Sequence, residues 1–174
     1  MFGVGTLVRP EGHRAVNRKL STRSLVVGVA GLVVVDQAAK AWVQQNLPLH
    51  AHVPLLGDTL WLAYYANYGA VGGVGESLPW VVPALIAAGL TLIVALLGSY
   101  RLYSNYLGAS WRAQAFLGLA VAALLCTLLD RVRLGYVIDF LYVRGWPVFN
   151  IGDLLPNIAA VFLLLEVVAV IKRR

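Results

Sequence analysis

Residues 130–153, DRVRLGYVIDFLYVRGWPVFNIGD, hold three aspartates and three arginines between two strongly apolar runs. The flanks, Ala113–Leu129 and Leu154–Ile171, are apolar enough to lie in a bilayer. Ionisable groups beside hydrocarbon are costly and are by default candidates for function. The stretch therefore reads as a working segment between two membrane spans, and its carboxylates Asp130, Asp139 and Asp153 are the first groups to weigh.

The remaining composition fits this reading. The chain has 174 residues, 60% of them hydrophobic and only 13% charged, with mean hydropathy +0.76. A soluble domain carries about a quarter charged residues, so the fold class is an all-α integral membrane protein. The single cysteine, Cys126, lies in an apolar run, which excludes an intramolecular disulfide and reads as a small buried side chain. The net charge of +6 is concentrated at the chain ends and in one loop between spans. That is a topology signal, not a nucleic-acid patch.

Four runs reach spanning length: Leu25–Val43, Leu78–Gly98, Ala113–Leu129 and Leu154–Ile171. Residues 1–24 form a basic head, with Arg9, Arg14, Arg18, Lys19 and Arg23 against Glu11, and residues 25–174 form the four-span unit. The first run is long for a signal-peptide core and no small-residue cleavage site follows it, so it is expected to be a retained span. In the second, Pro79 is expected in the first turn and Pro83 at a slight bend. Basic residues in the head, in Arg101–Arg112 and in Lys172–Arg174 put both termini on the cytoplasmic side. The loops carrying Asn67 and Asp139 then face outward. Val53–Tyr65, with Gly57-Asp58 at its middle, reads as a hairpin. Tyr136–Val143 is β-branched and aromatic, and after a break at Arg144–Pro147 the chain resumes at Val148-Phe149. A small extracytoplasmic sheet is expected, a cradle with Trp61, Tyr64, Tyr65, Tyr136 and Trp146 at headgroup level.

Several polar groups compete for a chemical role. Asp36 and Lys40 share a helix face at i and i+4; a packing ion pair is favoured over catalysis. Asn67-Tyr68-Gly69-Ala70, followed by Gly72, Gly73 and Gly75, is either a clamp on an extended peptide or a flexible turn. Asp130-Arg131 is expected where the third span meets the outer surface, with Asp130 structural. Asp139 and Asp153 can be brought together by the strand and its return. Two close carboxylates in a partly desolvated site cannot both ionise, so one holds a proton and the pair can act as base and acid. Asp153 is equally placed to be an ordinary helix cap. His13, His50 and His52 do not make a metal site, and no Ser or Cys stands in a nucleophile motif. Glu166 has no assigned role beyond packing or topology.

The motifs, taken in order, resemble those of bacterial lipoprotein signal peptidase (signal peptidase II), a membrane aspartic endopeptidase. Asp36-Gln37-Ala38-Ala39-Lys40 is similar to the family's DQxxK, and Asn67-Tyr68-Gly69-Ala70 to its NxGA. Asp130-Arg131 with Gly135, Val137, Asp139 and Phe140 is similar to DRxxxGxVxDF, and Phe149-Asn150-Ile151-Gly152-Asp153 to FNxAD. The resemblance runs from about Leu25 to Ile171. It departs at Cys126-Thr127, where the family has Gly-Asn, at Gly152, where it has Ala, and at Val71-Gly72-Gly73, where a Phe is usual.

The resemblance implies that Asp139 and Asp153 are the catalytic dyad. Asn67, Gly69, Arg131, Asn150 and Thr127 would contact substrate or support the site, and Asp36, Lys40 and Asp130 would hold the architecture. It implies cleavage before the lipidated cysteine of diacylglyceryl prolipoproteins at the outer face of the inner membrane. It implies no metal or cofactor, membrane lipids as surroundings, and sensitivity to the family's cyclic-peptide inhibitor. Two other readings stay open on the residues alone. One is a silent relative that binds precursors without cutting them. The other is a small transporter or channel subunit using Asp36 and Lys40 as a relay.

Overall fold

A computed structural model describes residues 19–70, 74, 75, 77, 78, 80–107 and 110–172. Most of the basic head, Gly72, Gly73 and Pro79 lie outside the described residues. The elements run α1 (Thr22–Asn46), β1 (His52–Leu56), β2 (Leu60–Asn67), α2 (Val81–Leu107), α3 (Trp111–Leu134), β3 (Val137–Val143) and α4 (Ile151–Ile171). All four helices are long and apolar enough to cross a membrane. Their outer faces expose Val27, Val94 and Leu164, as expected where lipid and not water is the neighbour.

Local chemistry sets the helix ends. Ser21 and Ser110 accept hydrogen bonds from the N–H groups of Ser24 and Ala113, capping α1 and α3. Gly135 ends α3 at φ +80, a left-handed conformation that glycine adopts without a Cβ clash. The apolar run of the third span ends at Leu129. The helix continues about one turn further, to Leu134, so Asp130 and Arg131 lie near its outer end as expected, Arg131 in the last turn, and both are buried. α2 starts at Val81, which puts Pro83 in the first turn, where its missing N–H bonds nothing; no bend is needed there.

The three strands form one antiparallel sheet in the order β1-β2-β3. The expected hairpin turns at Gly57 (φ +50), and Tyr65 of β2 pairs with Asp139 of β3. Phe149 returns to bridge Leu141, which directs the chain into α4. Val43, Tyr64, Ile138 and Phe140 form a core between the sheet and the end of α1. Tyr64 is thus in the core and not among the surface aromatic rings; its hydroxyl lies 3.3 Å from that of Tyr136. Trp146 is exposed. A second core, Ala122, Ala123, Cys126 and Leu155, closes α3 on α4. α3 is the central helix, in contact with α1, α2 and α4.

The end of the bundle opposite the sheet is tied by polar groups. Glu166 of α4 is 4% exposed. It accepts from Arg112 Nε of α3 at 2.8 Å and from the Tyr103 hydroxyl of α2. Gln114 exchanges two hydrogen bonds with the backbone of Leu20, just before α1. These contacts account for Glu166, for which the sequence offered no role. Arg112→Met strands the carboxylate and is expected to cost on the order of 3 kcal/mol. Arg112→Met with Glu166→Met recovers most of that loss, and thermal unfolding in detergent measures both.

Candidate active site

β3 delivers Asp139 and the first turn of α4 delivers Asp153. Both line a cavity of about 350 Å³ together with Asn67, Thr127 and Arg131, closed by apolar side chains of α2 and α3 such as Leu85, Leu92 and Leu124. A polar corner opening onto an apolar slot suits a ligand with one polar and one hydrocarbon part.

Two asparagines organise the carboxylates. Asn150 is fully buried and caps α4: its Oδ1 accepts from Asp153 N at 3.2 Å, while Asp153 Oδ2 accepts from Asn150 N at 2.9 Å. This is a reciprocal capping box. The Asn150 Nδ2 group then donates to Asp139 Oδ1 at 2.6 Å. One side chain therefore joins both aspartates, and the cap expected as the alternative for Asp153 exists together with its place in the cavity. Asn67 acts similarly at the end of β2, accepting from Gly69 N at 3.1 Å and donating to Asp139 Oδ2 at 3.0 Å.

Burial raises the Asp139 pKa to about 6, against the two asparagine donors, which favour the charged form; the charge of Asp153 adds to the rise and Lys40 opposes it. Arg131 is 6% exposed. It donates to the carbonyls of Gly69 and Tyr68, so Asn67, Gly69 and Arg131 meet in one loop-holding arrangement. Thr127 makes no hydrogen bond to either aspartate among the described residues; it contributes wall.

Behind the cavity, Lys40 Nζ lies 2.7 Å from Asp36 Oδ2 and 2.8 Å from Asp130 Oδ2. All three residues are at most 2% exposed. Gln37 Nε2 donates to Asp130 Oδ1 at 2.8 Å, and its Oε1 accepts from Arg133 at 2.9 Å. Gln37 was not singled out as a site residue, although a third polar side chain beside Asp36 and Lys40 in an apolar span was the available signal. His50 and His52 pack edge-on against Tyr65, and no group of three His, Cys, Asp or Glu able to hold a metal gathers among the described residues.

Fold and site together define a multi-pass membrane protein with two carboxylates at the sheet end of its bundle. The chain belongs to the signal peptidase II family, whose model, described as signal peptidase (SPase) II, matches residues 28–169. The lipoprotein signal peptidase of Halothermothrix orenii is 30% identical over 136 residues, covering 77% of this chain and 88% of its own. That of Lactococcus lactis subsp. cremoris is 34% identical over 146 residues, covering 83% and 92%. A bacterial membrane enzyme solved by the in meso method at 2.3 Å shares the fold, with TM-score 0.76 at 20% identity over 91% of this chain and 95% of that one.

Cys126 and Gly152 meet in space. A Cβ on Gly152 would lie 2.9 Å from the Cβ of Cys126 and 2.9 Å from Asn150 Oδ1. The Cys126 side chain thus occupies space that a side chain at 152 would need. Gly152→Ala is expected to cost about 1–3 kcal/mol through overpacking. Combined with Cys126→Gly it should cost less than the sum of the single changes. A double-mutant cycle on thermal unfolding measures the coupling; strictly additive losses would show that the two sites do not share the contact.

Proposed function

We propose that this chain is an aspartic endopeptidase that removes signal peptides from diacylglyceryl prolipoproteins, cutting before the lipidated cysteine. The observation that carries the reading is the convergence of Asp139, Asp153, Asn67 and Arg131 on one cavity, in a chain whose relatives are lipoprotein signal peptidases. The basic chain ends lie on the cytoplasmic side of the bacterial inner membrane, and the sheet and cavity face outward. Residues 25–174 form the peptidase unit.

The lipid of the substrate lies along the apolar slot and holds the scissile bond at the polar corner, which supplies proximity. One aspartate, ionised, takes a proton from water as the water attacks the carbonyl; the other, protonated, supplies a proton to the carbonyl oxygen or the leaving amine. Two N–H donors on Asp139 favour charge there. The Gly69 segment held by Arg131 supports the extended peptide.

Asp139→Asn and Asp153→Asn should each lower kcat by about 10²–10⁴-fold, assayed with a lipidated prolipoprotein in detergent or bilayer and with the family's cyclic-peptide inhibitor as control. Near-wild-type cleavage by either variant would sink the dyad. Wild-type protein that binds precursor yet yields no mature product would instead make the chain a silent binder, and proton- or ion-coupled flux in proteoliposomes without need of Asp139 would make it a transporter. Thr127→Asn is expected to keep or raise activity, since a longer amide from that wall can reach the carboxylates.

The acid limb of kcat/KM should reflect loss of the base as pH falls through about 6. Asn67→Ala removes a donor that stabilises the charged form, so the pKa rises and the limb moves to higher pH. A shift to lower pH, or none, would contradict the assignment of that hydrogen bond.

A further inference from the structure

The buried ion triad behind the cavity does more than join helices. Asp36 Oδ1 accepts from the N–H of Gly152 at 3.1 Å, and Asp130 Oδ2 accepts from the N–H of Ile138 at 3.1 Å. Gly152 immediately precedes Asp153, and Ile138 immediately precedes Asp139. Each carboxylate of the triad thus grips the peptide group in front of one member of the proposed dyad. Lys40 Nζ lies against both carboxylates, at 2.7 Å and 2.8 Å.

Neither N–H has an obvious substitute. Gly152 is in the first turn of α4, where helix N–H groups have no partner within the helix. Ile138 is in β3, an edge strand whose free side would otherwise present unpaired groups. The partners come from residues 116 and 8 positions away in sequence.

Geometry explains why one cation serves both. Asp36 and Lys40 are one turn apart on α1, so the ammonium reaches back to Asp36 and across to Asp130 on α3. Without it two carboxylates would be buried beside each other with no cation in direct contact among the described residues, and they would separate, protonate or draw in water. Each response moves an acceptor that holds an aspartate-bearing segment. Gln37 limits the freedom of Asp130 further by donating to its other oxygen at 2.8 Å.

We infer that Lys40, acting through Asp36 and Asp130, is a positioning residue that sets the spacing of the two aspartates by holding the peptide N–H in front of each. The inference rests on the proposed dyad and deepens it: α1, which lines no part of the cavity, sets the separation of the acid and the base.

The test compares three proteins purified to monodispersity and assayed with the same lipidated prolipoprotein. Lys40→Met keeps side-chain length and removes the charge. It should lower kcat by about 10²-fold, the loss that a misplacement of about 1 Å produces, with KM within about twofold of wild type. Lys40→Met with Asp36→Asn and Asp130→Asn removes the whole charge group but keeps a carbonyl acceptor for each N–H. It should regain at least about tenfold of the lost kcat, since geometry and not charge is what the acceptors supply. Lys40→Met with Asp36→Leu and Asp130→Leu is equally neutral without acceptors and should stay as slow as the single variant, with faster amide exchange at Ile138 and Gly152.

If Lys40→Met does not fold, the two neutral triple variants decide alone. Equal kcat and equal exchange in both overturn the inference, as does wild-type kcat in a folded Lys40→Met protein. A loss confined to KM overturns it too, since that would mark a substrate-contact role. Failure of the proposed function is separately visible: the wild-type protein would not cleave, or Asp139→Asn would remain active. The exchange comparison at Ile138 and Gly152 is independent of either.

Discussion

One ammonium group between two buried carboxylates is the constraint on which this molecule depends. Lys40 joins Asp36 on its own helix to Asp130 on α3, and the two carboxylates extend the tie to the first turn of α4 and to β3. Four of the seven elements are linked through it. An unpaired charge here would be untenable, and even a single pair would leave carboxylate lone pairs bare. The arrangement holds because the excess negative charge is spread over N–H donors: Gly152, Ile138 and Gln37 each contribute one. Apolar packing alone places lipid-facing helices weakly, since lipid tails are as apolar as leucine. The polar tie at the sheet end and the Glu166–Arg112–Tyr103 tie at the other end therefore do much of the work of fixing the bundle.

Much of this was legible in the sequence, and the gaps have physical causes. Hydropathy located all four spans, because a membrane helix must be apolar over its whole length. Turn chemistry at Gly57-Asp58 and β-branched residues in Tyr136–Val143 located the sheet. The apolar run stops one turn short of the end of α3, because that last turn carries charge. Asp130 and Arg131 are charged and buried, which is possible only because Lys40 comes from another helix and backbone carbonyls come from the loop after β2. Partners 60 to 90 positions away leave no local pattern. For the same reason Gln37, Glu166 and the contact between positions 126 and 152 could not be interpreted before the helices were placed. The ordered motifs included Asn67, Thr127, Arg131, Asp139 and Asp153, which the structure gathers at one cavity, but not the bonds between them. Thr127 lines the wall without a hydrogen bond to either carboxylate, and Asn150 bridges both.

That bridge bears on how two nearby carboxylates are kept unequal. The orientation of each asparagine is determined by a backbone N–H. Asn150 must turn its carbonyl to Asp153 N, and Asn67 must turn its carbonyl to Gly69 N. What remains for Asp139 is an NH₂ group on each side, and both of its oxygens accept from one. A carboxylate flanked by two donors gains nothing from a proton of its own, since a protonated oxygen would face an N–H. Asp153 is different: one oxygen is engaged by the Asn150 N–H, and the other has no hydrogen-bond partner among the described residues. Burial works against those donors and outweighs them, raising the Asp139 pKa to about 6. On the proposed function the two carboxyl groups titrate as a unit, and their surroundings differ: two side-chain donors hold Asp139, while one backbone N–H holds Asp153. The cap that starts α4 and the asymmetry of the pair are then consequences of the same asparagine. An Asn150 replacement that kept only the cap would leave Asp139 buried with one donor fewer and a weaker claim to the charge.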